Sequence, residues 1–327
     1  MIMSYRKMVA AGAALVGLAH LAAAQPAGFQ GPVAGAVYVS HAVRPLLGTP
    51  RAAYLGSPLF TGVQWASVAP GGDWALIAKD GCSRLMRGIS SGAPSDSSPD
   101  GLMDGINRAA WSPDGAFALF YSSSGNQLQR VRIAGGAAQA DAPTPVPDSG
   151  RVTTLAISSG SGQAVFGVSG TAGALYLLPA AGTPVLLSPM GNPAAAAFDD
   201  SGNRLYVFDG GTGKILEFDA GAGPFEFASL PQADGAAPDF AGLALSGGGS
   251  YLLVADGAGK AIRVYDTSSQ MPTTTIPLDF APSRLEALSD GPLFLLNGDR
   301  RHQWLLILDA RRTPEVYFVP AIGEEPR

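Results

Sequence analysis

Charge, cysteine and histidine are all scarce in this chain. Of its 327 residues only 14% are Asp, Glu, Lys or Arg, and the formal net charge is −5. The few basic residues form no cluster, which argues against a nucleic-acid surface. A single cysteine, Cys82, excludes an intramolecular disulfide. With no His or Cys beside it to activate the thiol, it reads as a packed residue in or next to a strand. Past the first two dozen residues no apolar run is long enough to span a bilayer, and no segment repeats its apolar residues with a 3.6-residue period.

Catalytic motifs are missing as well. GISSG at Gly88–Gly92 has the letters of a G-x-S-x-G elbow but runs from a strand into a polar loop with no helix after it, and GGTGK at Gly210–Lys214 lacks the spacing of a phosphate-binding loop and sits between two strands rather than before a helix. The Asp-box signature of sialidase-like propellers is absent. Beyond the N-terminal segment only His41 and His302 remain, with no partner at metal-ligand spacing, and both read as surface or turn residues.

What is present begins with a leader. Arg6 and Lys7 precede an alanine-rich apolar stretch, Met8 to Leu21, and Ala22-Ala23-Ala24 supplies small residues for cleavage before Gln25. Residues 1–24 therefore read as a secretory signal peptide. The mature chain, 25–327, is expected to be exported to the periplasm or secreted, with no membrane insertion after cleavage.

Glycine (43) and proline (26) are abundant, as where many short strands meet in many turns. Gly72 in APGGDW, Gly115 in SPDGAF, Gly162 in SGSGQA, Gly202 in DSGNRL, Gly249 in GGGSYL and Gly291 in SDGPLF are spaced by 43, 47, 40, 47 and 42 residues. That interval is the length of a propeller blade. Each turn follows a short apolar strand and precedes a second, such as FALFYS or RLYVFD. A third follows (LQRVRIA, ILEFDA, IRVYDT), then a weaker fourth (PVLLS, PFEFASL, TTTIPL, EVYFV). A sheet of this kind buries neither face alone, whereas blades stacked about an axis hide both.

The fold expected is thus all-β: one β-propeller of four-stranded antiparallel blades. AVYV (36–39), AVRPLL (42–47) and AAYLG (52–56), ahead of the first turn, supply strands for a seventh blade. Six blades, with these strands helping to close the ring, is the alternative. The polar loops Ser90–Gly105 and Ala137–Gly150 read as mobile inter-strand loops.

AAWSPDGAFALFYSSSGNQLQRVRIAGG resembles the WD40-like repeat of the TolB type, and NRLYVFDGGTGKILEFDA and SYLLVADGAGKAIRVYDT resemble repeats of YncE-type and NHL-type exported propellers. The resemblance spans roughly Val63 to Val319. It implies the fold, and since such propellers include binding scaffolds and enzymes it implies no single function.

In a propeller, the loops between second and third strands and those leading into first strands share one face. On that face the sequence places Asp80, Asp209, Asp256 and Asn297 at the ends of second strands, and Arg108, Arg151, Asn192, Asp239 and Arg284 ahead of first strands. The carboxylates would suit Ca²⁺ through hard oxygen ligands, as in lactonase-like propellers, for which Glu286 is the nearest channel glutamate. The arginines would suit an anionic ligand. The plainer reading has the Asp and Asn residues holding turn amides. Trp65, Trp74, Trp111 and Trp304, with Tyr206, Tyr251 and Tyr265, read as packing between blades. Two functions follow: an exported non-catalytic scaffold, without cofactor, that binds a protein, peptide or glycan, or a Ca²⁺-dependent lactonase-like hydrolase.

Overall fold

A computed structural model describes residues 32–147, 150–170, 173–219, 223–230, 240–246, 248–288, 292–297, 305–310 and 314–320. The expected leader, Asp239, His302, Trp304 and the turn at Gly291 lie outside these. The strands form seven antiparallel sheets, arranged as the blades of a β-propeller. Blade 1 is built from residues 33–61, blade 2 from 65–96, blade 3 from 106–145, blade 4 from 151–189, blade 5 from 193–229, blade 6 from 240–277 and blade 7 from 286–319. The N-terminal strands therefore make a blade of their own.

The repeat is explained by one turn. Where the first strand of a blade ends, its last amide bonds the carbonyl five residues on: Ala69 to Trp74, Ser112 to Phe117, Ser158 to Gln163 and Asp199 to Arg204, at 2.8–2.9 Å. A polar side chain at that position closes the turn further. Ser112 Oγ accepts from the Phe117 amide at 2.9 Å, and Asp199 Oδ1 from those of Asn203 and Arg204 at 2.9 and 3.1 Å. Closing so tight a loop requires a left-handed residue, and Gly115 (φ 67°) and Gly202 (φ 72°) take that conformation without steric cost.

The core is divided among the seams between blades. Among the described residues seven apolar clusters are present, each shared by two adjacent blades. Phe208 of blade 5, for example, stacks on Phe240 of blade 6 at 4.0 Å between ring centroids. The seam joining blade 7 to blade 1 is one of the seven, with Val37, Leu46 and Leu55 against Leu288, Leu295 and Val319. Among the described residues the ring thus closes by face-to-face packing, with each sheet drawn from one continuous stretch of chain. Arg51 of blade 1 reinforces this seam, donating to Glu315 Oε2 at 2.9 Å and to the Tyr317 hydroxyl at 3.1 Å.

Blade 1 differs from the rest. Its strands Tyr54–Leu55 and Phe60–Thr61 both pair with Ala42–Leu47, so four strands fill three positions. Its channel-side strand, Val33–Val39, also runs opposite to the inner strands of the other blades. At its end, Tyr38 and His41 bond the carbonyls of Val63 and Gln64, where blade 2 begins. Near its start, Gly35 packs on the backbone of Leu288, where the inner strand of blade 7 finishes.

Four expectations need correction. The Ala137–Gly150 segment is not simply a loop, because Ala137–Ala140 and Thr144–Pro145 both pair with Gln127–Ala134 as the outer edge of blade 3. Cys82 is exposed, because the second strand of blade 2 ends at Lys79 and the thiol falls just beyond the tight Asp80-Gly81 turn. Tyr251, at 40% exposure, stands at the start of its strand outside the seam. The Ser90–Gly105 loop is pinned: Ser90 Oγ donates to Asp73, Asp104 accepts from the Ser83 amide, Gln129 bonds both Gly101 and Met103, and Leu102 and Met103 join an apolar cluster.

One buried group yields a prediction. Tyr206 and Glu217 face each other on neighbouring strands of blade 5. Both are nearly inaccessible, and neither the hydroxyl nor Oε2 of Glu217 completes a well-formed hydrogen bond. Burial pushes the Tyr206 pKa up to about 12 and raises that of Glu217, which Asp219 and Asp199 raise further against the opposing pull of Arg204. A carboxyl that is more basic when folded binds its proton more tightly there, so stability falls as pH rises from the ordinary glutamate range through the folded value. Glu217→Gln should therefore leave the melting midpoint unchanged near pH 4 and raise it at pH 7, by an amount reflecting the roughly 1–3 kcal/mol penalty of an unsatisfied buried polar group. Thermal melts of both proteins across this pH range would show parallel curves if the carboxylate carries no penalty.

Candidate functional site at the axial channel

The inner strands enclose an axial channel of about 1350 Å³. An inner strand turns its backbone edge to the axis and its side chains alternately to the two neighbouring blades. Small residues such as Ala66, Ala109, Ala156, Ala197 and Ala244 therefore leave the bore wide. The lower rim, where inner strands finish, is lined by Pro70, Trp111, Pro113, Phe198, Tyr251 and Pro292. Trp111 is fixed there by a 2.9 Å hydrogen bond to Ser67 Oγ and edge-to-face packing on Phe120.

The upper rim, where inner strands begin, carries Gln64, Trp65, Arg108, Arg284 and Glu286. The reversed strand of blade 1 adds Tyr38 and His41 to it, with His41 in a hairpin at φ 57°.

The residues expected at this rim divide into two groups. Arg108 and Arg284 do line the channel. Arg108 is half-buried and donates to the Thr153 carbonyl at 2.8 Å. Burial, and then the nearby charge of Arg151, depress its pKa. Neither Arg108 nor Arg151, which is exposed, has a carboxylate partner among the described residues. Arg284, by contrast, is paired with Glu286 at 3.1 Å.

The carboxylates and amides are used elsewhere. Asp209 is buried, its Oδ1 accepting from the amides of Asn192 and Gly211 at 2.9 and 3.0 Å and its Oδ2 from the Thr212 hydroxyl at 2.9 Å. Asp256 Oδ1 accepts from the Gly259 amide at 2.7 Å, and Oδ2 takes two bonds from Arg263, at 2.9 and 2.8 Å. Asp80 is exposed in a hairpin at φ 53°, and Asn297 is half-buried after the second strand of blade 7. None of these lines the channel, and among the described residues no three His, Cys, Asp or Glu side chains gather as metal ligands. The donor set expected for Ca²⁺ does not fit the ion, because Asp209 and Asp256 are already committed to turn amides and a guanidinium.

Sequence reasoning missed Trp65 as a rim residue. The signal was its place directly after Gln64, at the first position of an inner strand, where a large side chain is only partly covered by the next blade. The contribution of Tyr38 and His41 had no local signal, since it depends on the direction of blade 1.

No protein-family model matches the chain, and no curated protein matches it, so the likeness to TolB-, YncE- and NHL-type repeats stays one of repeat pattern. Among solved structures, a candidate 6-phosphogluconolactonase from Bacteroides fragilis aligns over 88% of this chain and 94% of its own, with a TM-score of 0.58 at 12% identity. A second candidate 6-phosphogluconolactonase, from Bacteroides uniformis, covers 86% of this chain and 93% of its own, with a TM-score of 0.55 at 14% identity. Hydrazine synthase of Kuenenia stuttgartiensis covers 87% and 90%, with a TM-score of 0.57 at 13% identity. At such identities the likeness establishes a shared fold and leaves chemistry to the residues of this channel.

Proposed function

We propose that this chain is an exported, non-catalytic propeller that binds part of a protein, peptide or glycan partner at the upper rim of its axial channel. The observation that carries the reading is Arg108. A half-buried guanidinium on the wall of a large open cavity, beside a second cation and without a carboxylate among the described residues, has binding capacity that one carbonyl does not use. A partner carboxylate or phosphate would meet that capacity.

The alternative, a Ca²⁺-dependent lactonase-like enzyme, draws on the shared fold of the candidate lactonases and on Glu286 in the channel. Against it stand the engagement of Asp209 and Asp256 and the pairing of Glu286 with Arg284. Probing immobilised peptide and glycan arrays with the protein and its Arg108→Ala/Arg151→Ala variant tests the choice. Acidic ligands should be retained by the first and lost, by about tenfold or more, by the second. Binding that ignores both arginines, or Ca²⁺-stimulated hydrolysis of lactones, would refute the proposal.

A further inference from the structure

Resting on that reading, we infer that the ligand of the upper rim is an acidic saccharide, its carboxylate on Arg108 and a sugar face against Trp65. Blades 2 and 3 are adjacent and bring Gln64, Trp65 and Arg108 to the same end of the channel. The three offer complementary chemistry: a planar fork of donors for a carboxylate, an indole with an apolar face and one N–H, and an exposed carboxamide able to donate and accept. Trp65 is half-buried, and neither its indole N–H nor the Gln64 amide makes a side-chain hydrogen bond among the described residues. Tyr38 and Asn107, at the same rim, are in contrast bonded to carbonyls of blade 2 and to Ser123.

The rim chemistry favours a saccharide over a peptide, since a ring face can stack on Trp65 while its hydroxyls meet the Gln64 carboxamide. Below the rim the wall is made of strand edges that carry alanines interspersed with larger apolar residues such as Leu155 and Leu243. Flat, hydroxyl-rich rings suit such a wall, since strand edges offer backbone donors and acceptors all along it. The charge distribution sets the orientation. Arg151 lies beside Arg108, while the carboxylate of Glu286 is held by Arg284 on blade 7. The acid group therefore belongs on the side of blades 3 and 4.

Calorimetric titration with a linear tetramer of galacturonate tests this, with a neutral galactose tetramer and an acidic hexapeptide as comparators. The charged tetramer should bind at least about tenfold more tightly than the neutral one. Arg108→Ala should remove that preference, Arg108→Lys should restore part of it, and Trp65→Ala should weaken both sugars together. Melting midpoints close to that of the unaltered protein would establish that the variants are folded. Failure of the galacturonate tetramer to bind, or equal binding of the neutral tetramer, would overturn the inference. Arg108-dependent binding of the peptide alone would overturn it too, while leaving the binding propeller standing.

Discussion

Asp256→Ala is expected to destabilise the protein by about 3 kcal/mol, equally in chelator and in excess Ca²⁺. The side chain of Asp256 is 10% exposed, and its two oxygens serve the Gly259 amide and the Nε and Nη2 donors of Arg263. Removing it strands a guanidinium at 27% exposure, and breaking a buried pair from one side costs roughly 3–5 kcal/mol, less where water still reaches the survivor. The loss belongs to the fold and not to a metal. A true site present at a hundredfold over its dissociation constant would instead add about 2.7 kcal/mol to the unaltered protein and nothing to the variant. Denaturant titrations of both proteins, each with and without Ca²⁺, separate the cases. A Ca²⁺-dependent gain confined to the unaltered protein would restore the hydrolase reading.

A second large effect is expected at Gly35. Its φ is +148°, and a Cβ there would lie 2.5 Å from the backbone carbonyl oxygen of Leu288. Neither strand can yield by rotating a side chain. Gly35→Ala should therefore force blades 1 and 7 apart, costing on the order of 3 kcal/mol, at the upper end of overpacking penalties. Because this is the seam that joins the two ends of the ring, hydrogen exchange should rise together in residues 33–55 and 286–319 while blades 3 to 5 keep their protection. Uniform exchange throughout would mean that the ring yields as a single unit.

The architecture was legible because it is written in turns. Gly72, Gly115, Gly162, Gly202 and Gly249 all adopt positive φ, and the spacing between them reports blade length directly. Strands such as Arg204–Asp209 and Glu315–Val319 coincide with the runs read from sequence. The site was less legible, because a polar residue at a strand end looks the same whether it faces a ligand or a neighbour. Asp256 shows the difficulty: Arg263 lies opposite Val254 in register, two residues from Asp256 and on its face of the sheet, so the pair is diagonal and separated in sequence by a turn. The direction of blade 1 had no local signal at all, since the same apolar strands serve either direction. The pinned loop in blade 2 was masked by its polar composition, for its anchors lie on other strands.

The seam between blades 1 and 7 also orders events in time. Arg51 and Glu315 are 264 residues apart in sequence, so the contact between them closes a loop that spans most of the chain. During synthesis the first blade gains a neighbour on one flank early, yet its other flank, with Val37, Leu46 and Leu55, waits for the last strands of the chain. Non-local pairings of this kind slow folding and leave sticky intermediates exposed. The earliest blade made is thus the last to be completed, and the lifetime of the half-built ring is set by the arrival of the C-terminal strands.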